Sequence, residues 1–217
     1  MFLRGIKLLK MYCKWKSSYI NCNVYPLQRM MSTNNQNNHM VWIDMEMTGL
    51  DINTCHILEI TCLITDSNLK IISDKLNIVI NQPDSILSTM DNWCKEHHKK
   101  SKLIDDVRNS KISLKDAEQT VLKFLKSYVP RGKCPLAGNS VYMDRLFLIK
   151  YMPLVHDYLH YRIIDVSTIK EVARRWNSQI YYSAPPKTYQ HRATFDILES
   201  IKELDHYKNC IFTPKNS

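Results

Sequence analysis

Short apolar runs alternate with turn-forming residues from residue 40 onward. The apolar runs cover residues 40–45, 56–65 and 70–80, and the turn-forming stretches between them include residues 48–51 and 65–68. Apolar runs of this length, bounded by Gly, Asp, Asn and Ser, predict β-strands. We therefore expect three consecutive strands at the start of the folded part of the chain.

The chain beyond residue 80 shows helical spacing that two further strand-like runs interrupt. In residues 113–128, Ser113 and Asp116 can form a capping box, and an apolar face follows: Leu114, Val121, Leu122 and Leu125. The predicted elements are helices over 84–103, 113–128, 143–151, 168–176 and 194–207, and strands over 134–137 and 162–166. This order predicts an α/β fold whose mixed sheet is antiparallel at first and parallel afterwards.

The first 39 residues differ in composition from the rest of the chain. Residues 1–31 contain basic residues and no acidic one, as in a mitochondrial transit peptide, although a disordered tail has the same composition. Residues 32–39 are polar and low in complexity, which indicates a linker. We therefore expect a transit peptide and linker over 1–39 and one folded domain over 40–217. A start near Met31 would omit the signal and leave the protein in the cytoplasm or nucleus.

Composition excludes several classes of protein. A chain of 217 residues is long enough for one core. The formal net charge is +9, but six of the 30 basic residues precede residue 44. The rest of the chain contains 24 basic and 21 acidic residues. The chain from residue 44 onward, which we call the body, therefore has a net charge of +3, and this is too small for a broad basic surface that binds long polyanions. The seven cysteines stand singly, which argues against disulfides and structural zinc, and no apolar run is long enough to cross a membrane.

The first candidate for chemistry is the pair Asp44 and Glu46 in the predicted first strand. Side chains on a strand repeat every two residues, so both carboxylates project from the same face of an otherwise apolar run. Two neighbouring carboxylates repel each other and lose hydration, and a divalent cation removes that cost. The alternative is an edge strand whose acidic residues face water.

Two later motifs carry the remaining candidates. Asp144 follows a strand and a turn of small residues, at a helix start where it could simply complement the helix dipole. His191 and Asp196 lie five residues apart, and five helical steps of roughly 100° would point them apart. They can converge only if His191 lies on the loop before the helix, which Pro185 and Pro186 make plausible.

Together, Asp44-x-Glu46, Asp144 and His191 four intervening residues before Asp196 resemble the pattern of DEDDh exonucleases. Within that class the chain resembles the oligoribonuclease family over about residues 40–210. The segments that carry the resemblance are WIDMEMTGLD, LAGNSVYMDR, HYRIIDVSTIKEVARRW and HRATFDILESIKEL. The family usually has Ser-Gly-Leu after its paired histidines, whereas this chain has Ser101-Lys102-Leu103 after His97 and His98.

The resemblance implies a ribonuclease-H-like fold, with a mixed five-stranded sheet flanked by helices, and a two-metal-ion phosphodiester hydrolysis. Asp44, Glu46, Asp144 and Asp196 would hold the ions, with Mg²⁺ the physiological metal and Mn²⁺ a substitute, because all-oxygen ligands suit hard cations. His191 would be the general base. The expected reaction is 3′→5′ hydrolysis of very short RNA, especially dinucleotides, to 5′-mononucleotides.

The resemblance also implies the substrate contacts and the assembly. Leu50 and Trp93 would sandwich the bases, although Leu50 could equally be a core residue. Tyr161 would act across a homodimer, in the partner's site. The expected cap on the substrate's 5′ phosphate consists of Ser140, Arg162, Ser167 and Lys170. His97, His98 and Asp165 are expected to be structural.

Two alternatives to this function stay open from the sequence. An exonuclease of the same class for longer nucleic acids is disfavoured by the small charge of the body. A non-catalytic protein that binds RNA or a partner is disfavoured because all five catalytic positions are intact. A metal-dependent hydrolysis assay distinguishes the non-catalytic alternative, and cleavage of RNA from two to about twenty nucleotides, with and without Mg²⁺, distinguishes the enzyme for longer substrates.

Overall fold

The computed structural model describes residues 35–187 and 192–212. The predicted transit peptide lies outside the described residues. Within the predicted linker, Asn35–Asn38 forms a 3-10 turn, and the Cys134 thiol bonds to the carbonyl of Gln36 at 3.2 Å. No helix among the described residues is long and apolar enough to cross a membrane.

Five strands form one mixed sheet in the order β3-β2-β1-β4-β5. The strands are β1 Met40–Met47, β2 Ile57–Thr65, β3 Leu76–Val79, β4 Pro135–Gly138 and β5 His160–Asp165. β1 pairs with β2, and β2 with β3, in antiparallel fashion, whereas β4 runs parallel to β1 and β5 parallel to β4. The sheet predicted from the sequence, antiparallel first and parallel afterwards, is confirmed.

Nine α-helices flank the sheet in the described part of the chain. They are α1 Asp84–Leu87, α2 Asn92–Lys100, α3 Leu103–Asn109, α4 Leu114–Tyr128, α5 Tyr142–Tyr151, α6 Pro153–His156, α7 Val166–Trp176, α8 Ser178–Tyr182 and α9 Ala193–Tyr207. A π-helical turn, Lys208–Phe212, follows α9. The short helices α6 and α8 were not expected from the sequence.

Two predicted elements differ from the structure. The third strand begins at Leu76 rather than at residue 70, because the Asp66 carboxylate accepts the backbone N–H groups of Asn68 and Lys70 and holds a turn there. The helix predicted over 84–103 is divided among α1, α2 and the start of α3. Asp91 caps a new N-terminus at α2, and Lys102 interrupts the helical path with a left-handed φ of 61°.

The two faces of the sheet pack against different helices. Val41, Ile43 and Met45 of β1 contribute to a core that includes residues of α4, α5 and α6. Met40 and Trp42 face the other way and pack in a second core with residues of α7 and α9. A third cluster lies under α1, α2 and α3. The alternation along β1 thus directs its even-numbered side chains toward the side on which α9 lies.

Candidate active site

The carboxylates of β1 lie on the face that α9 covers. Asp44 and Glu46 continue the series begun by Met40 and Trp42, since strand side chains repeat every two residues. Helix α9 packs on this face through the second core, and Asp196 lies in its first turn. The fold therefore brings an acidic residue near the C-terminus of the chain to the two at its first strand.

Four acidic residues meet at this place. Carboxylate oxygens of Asp44, Glu46 and Asp196 lie within 4.8 Å of one another. Asp144, buried in the first turn of α5, is close enough that its charge raises the pKa of Asp44. Three of the four acidic residues predicted from the sequence thus lie within ligand distance of one another, and Asp144 lies near enough to raise the pKa of Asp44.

The pKa values show that ionising these carboxyl groups together is unfavourable. Burial, and then the charge of Asp144, raises the pKa of Asp44 well above its ordinary value. Burial and neighbouring acidic residues, Asp196 first, raise the pKa of Glu46 to about 8. Burial raises the pKa of Asp144 to about 8 and that of Asp196 to about 6. Ionised side by side, these groups need a cation.

The chemistry of the donor set fits a hard divalent ion. The four ligand candidates offer only carboxylate oxygens, which suit Mg²⁺ and Mn²⁺ better than softer metals. Arg192 lowers the pKa of Glu46 and Lys187 lowers that of Asp196, yet the net shift of both carboxyl groups is upward. The described basic side chains thus leave a charge that metal ions can neutralise.

His191 lies outside the described residues, but the residue after it is firmly held. Arg192 donates to Glu59 on β2 and to Asp106 on α3, both at 2.9 Å, and to the carbonyl of Ser101 at 3.2 Å. Glu59 is 1% exposed and also accepts the backbone N–H of Ala193 at 3.3 Å. In the register of β1 and β2, Glu59 lies opposite Glu46. The start of α9 is therefore anchored beside the acidic cluster.

The two residues expected to contact bases are exposed. Leu50 follows β1 and is 67% exposed, so the alternative that it is a core residue is wrong. Trp93 on α2 is 57% exposed, and its ring stacks on that of His97 at 3.9 Å between centroids. His98 is buried, with Nε2 2.9 Å from the carbonyl of Met47 and Nδ1 3.9 Å from a Glu46 oxygen. His98 thereby contacts the acidic cluster, a proximity that the sequence analysis missed.

Two of the four residues expected at the 5′ phosphate contact each other. The backbone N–H of Ser140 lies 3.0 Å, and its hydroxyl 3.1 Å, from the hydroxyl of Ser167. Asp165 accepts the backbone N–H groups of both serines, a structural role as expected. Both serines line a cavity of about 450 Å³ that also includes Thr168 and Arg175.

The other two expected phosphate residues have different partners. Lys170 on α7 forms an ion pair with Glu203 at 3.2 Å. The Arg162 guanidinium lies 5.4 Å from the ring centroid of Tyr161, and Tyr161 is 72% exposed on β5. The structure thus places Arg162 and Tyr161 together on an edge strand of the sheet.

Comparison with known proteins identifies the family. The family model for exonucleases named RNase_T matches residues 41–204. The chain is 55% identical over 176 residues to the human protein named mitochondrial oligoribonuclease, covering 81% of this chain and 74% of that protein. The chain belongs to the oligoribonuclease family. It is also 45% identical over 182 residues to the oligoribonuclease of Vibrio parahaemolyticus, covering 84% of this chain and 99% of the bacterial protein.

Solved structures confirm the fold of this family member. The zinc-bound form of Escherichia coli exonuclease I in complex with single-stranded DNA has a TM-score of 0.63 at 11% identity and covers 80% of this chain. Exonuclease I from Methylocaldum szegediense gives a TM-score of 0.62. The chain spans only 41% of the length of either structure. These structures confirm the expected ribonuclease-H-like fold. The family model and the oligoribonuclease relatives confirm the expected class of enzyme, a nuclease.

Proposed function

We propose that this oligoribonuclease family member is a metal-dependent 3′→5′ exoribonuclease that converts very short RNA, above all dinucleotides, to 5′-mononucleotides. The observation that carries the proposal is the cluster of Asp44, Glu46, Asp144 and Asp196, whose raised pKa values indicate that a bound cation is needed to keep them all ionised. The names of relatives at 45–55% identity support short RNA as the substrate.

The four carboxylates would hold two divalent ions, Mg²⁺ in the cell and Mn²⁺ as a substitute. Bound there, the ions would lower the pKa of water and stabilise charge on the attacking and leaving oxygens. His191 would accept the proton of the attacking water, since an imidazole titrates near neutral pH. Arg192 supports this role because its three contacts anchor the chain immediately after His191.

Substrate length would be limited by contacts at both ends of a dinucleotide. Leu50 and Trp93 are exposed and would hold bases without regard to sequence, at roughly 1–3 kcal/mol per stacked base. Ser140, Arg162, Ser167 and Lys170 would bind the 5′ phosphate and leave no path for further nucleotides. The low net charge of the body supports this limit, because tracking a long backbone requires many phosphate contacts.

A homodimer would complete each site. Tyr161 is 72% exposed on the edge strand β5, where it can reach a second subunit. Large apolar side chains are also exposed on α5, β5 and α7: Tyr142, Leu146, Ile149, Ile163 and Val172. Arg145 of α5 bonds to the carbonyl of His160 on β5, so α5 and β5 are neighbours. An apolar surface of this kind supports an interface between copies of the chain.

The protein would act in mitochondria. The basic, acid-free residues 1–31 and the relatives named mitochondrial oligoribonuclease support this address. A reporter fused to residues 1–38 is expected to enter mitochondria, and a diffuse reporter would contradict the proposal. Nothing in the relatives' names supports a second form in the cytoplasm or nucleus.

Cleavage of 5′-phosphorylated RNA from two to about twenty nucleotides, with Mg²⁺ and with a chelator, tests the function. We expect Mg²⁺-dependent release of 5′-mononucleotides, fastest for the dinucleotide. His191→Ala should lower kcat about 10²- to 10⁴-fold while metal and substrate still bind. Equal efficiency on the twenty-nucleotide RNA would instead favour an enzyme for long substrates, and no hydrolysis would favour a binding protein.

A further inference from the structure

Residues 49–55, which we call the Leu50 loop, connect β1 to β2. The side chain of Leu50 is 67% exposed, so core packing does not hold it in place. Its position depends instead on the backbone that carries it. The contacts of this backbone therefore decide how well Leu50 is placed to meet a substrate base.

Bonds within residues 48–56 give the loop its shape. At its base, the backbone N–H of Thr48 donates to the carbonyl of His56, and the N–H of His56 donates to the hydroxyl of Thr48, each at 2.9 Å. Inside the loop, the Asp51 carboxylate accepts the backbone N–H of Asn53 at 2.9 Å and the hydroxyl of Thr54 at 3.0 Å. Because these bonds are local, they do not fix where the loop lies relative to the rest of the site.

The end of α5 attaches the loop to the rest of the protein. The hydroxyl of Tyr151 donates to the carbonyl of Cys55 at 2.6 Å. The ammonium group of Lys150 donates to the carbonyls of Ile52 and Asn53, the latter at 3.2 Å. Both side chains bind backbone oxygens, and they come from a helix far along the chain. Helix α5 thus holds the path of the loop itself.

Helix α5 is in turn fixed to the core and to the acidic cluster. The ring of Tyr151 stacks on the fully buried ring of Phe147, with 5.8 Å between centroids. Ile52 and Cys55 pack against the core to which Phe147 belongs. Asp144, in the first turn of α5, precedes Tyr151 by about two helical turns. One rigid helix therefore carries both a proposed metal ligand and the attachment of the Leu50 loop.

From these contacts we propose that Tyr151 and Lys150 are positioning residues for Leu50, which hold its loop in the conformation that presents the side chain to a substrate base. Both act on the backbone of the loop, so neither has to touch the substrate. A loop that is already in its binding conformation binds more tightly, because binding then does not have to order it. The inference rests on the proposed function and adds two residues that set the affinity for the bases.

Steady-state kinetics on a 5′-phosphorylated dinucleotide with Mg²⁺ test the inference. Tyr151→Phe removes one hydroxyl and keeps the ring that packs on Phe147. The KM should rise about 2- to 10-fold, which is the change in equilibrium that one hydrogen bond typically supports. The kcat should stay nearly unchanged, because a contact made equally in the ground state and the transition state affects KM alone. Lys150→Met should change KM in the same direction.

A double-mutant cycle with Leu50→Ala shows whether the effect passes through Leu50. If it does, Tyr151→Phe raises KM in the wild-type background and has almost no effect in the Leu50→Ala background, whereas independent effects would multiply. Tyr158→Phe is the matched control, because the hydroxyl of Tyr158 also donates to a backbone carbonyl, that of Val129, at 2.9 Å. This control should leave KM unchanged.

The outcomes separate this inference from the proposed function. No hydrolysis of the dinucleotide by the wild type would overturn the proposed function, and an unchanged KM in Leu50→Ala would overturn the base contact and the inference with it. If both of these hold, an unchanged KM in Tyr151→Phe, or the same rise in both backgrounds, would overturn the inference alone.

Two further results would also count against the inference. A rise of KM in Lys150→Met that persists beside Leu50→Ala would assign Lys150 a direct contact with substrate phosphate instead of a role in the loop. A lower kcat with an unchanged KM in Tyr151→Phe would indicate loss of folded enzyme, and thermal unfolding of each variant measures the folded fraction.

Discussion

At the scale of single residues, the acidic cluster favours cation binding but destabilises the protein when no cation is bound. Burial raises the pKa of Asp44, and the neighbouring charges raise it further: Asp144, Glu46, Asp196 and Glu59. Buried like charges destabilise a fold unless a cation binds between them. A bound cation would stabilise a site of this kind, which would link folding to metal binding.

Removing one of these charges should make the metal-free protein more stable and weaken metal binding. Asp44→Asn keeps the size of the side chain but removes a carboxylate, so the metal-free variant should melt above the metal-free wild type. Mg²⁺ should raise the melting temperature of the wild type and leave that of the variant nearly unchanged, and RNA hydrolysis should be lost. Calorimetry with and without Mg²⁺ measures the shifts. Equal stabilisation of both proteins by Mg²⁺ would remove Asp44 from the ligand set.

A second residue-scale effect comes from the backbone at Lys102. This exposed lysine has a φ of 61°, a left-handed conformation that glycine adopts at lower cost than other residues. Lys102→Gly should therefore raise the free energy of unfolding by roughly 0.5–1 kcal/mol. Lys99→Gly inside α2 is the control and should lower it by about 1 kcal/mol. Urea unfolding measures both, and a loss of stability in Lys102→Gly would contradict the argument.

At the scale of elements, the start of α9 depends on one cation. The side chain of the N-cap residue, Arg192, accepts no backbone N–H of α9. Instead, the Glu59 carboxylate accepts both the Arg192 guanidinium and the backbone N–H of Ala193. Arg192 also pairs with Asp106 on α3. Helix α3 follows α2, which carries Trp93. One side chain therefore holds the helix of Asp196 against the strand and helices around the site.

Removing the Arg192 guanidinium should destabilise the protein more than removing a surface ion pair does. Arg192→Met leaves Glu59 buried without its cation, which typically costs roughly 3–5 kcal/mol, with Arg192's partial exposure favouring the lower end. Arg192→Met combined with Glu59→Gln should recover part of the loss. Arg108→Met, whose partner Asp84 is exposed, should cost less than about 1 kcal/mol. Chemical denaturation gives the values, and equal costs for both single variants would contradict the prediction.

At the scale of the whole molecule, the proposed function requires a second copy of the chain to complete the site. Tyr161 is exposed on β5, the strand at one edge of the sheet, and it belongs to the group expected to contact substrate. The exposed Ile163 lies on the same side of β5 as Tyr161. The exposed apolar residues of α5 lie on the helix that is bonded to β5. Activity should therefore depend on association of two chains.

Mixed dimers test whether Tyr161 acts across the interface. Asp44→Asn and Tyr161→Ala should each be inactive or nearly so as homodimers. A mixed dimer has one intact site, because the Asp44→Asn chain supplies Tyr161 to the partner that retains Asp44. Random mixing should then restore about a quarter of wild-type activity, since half of the dimers carry one working site of two. Sedimentation of labelled chains measures whether the subunits exchange. If they exchange and activity does not recover, Tyr161 acts in the site of its own chain.

The sequence alone determined the existence of five strands, the antiparallel and then parallel character of the sheet, and the identity of the four acidic residues. Period-two alternation in residues 40–47 sets which side chains share a face, and residue types set their chemistry. The tertiary structure alone decided what depends on distance. It showed that Leu50 and Trp93 are exposed, that residue 102 breaks a helix, and that Glu203 joins lysines from two separate segments. Such contacts leave no local pattern, because burial and charge pairing arise only when residues far apart in the chain pack together.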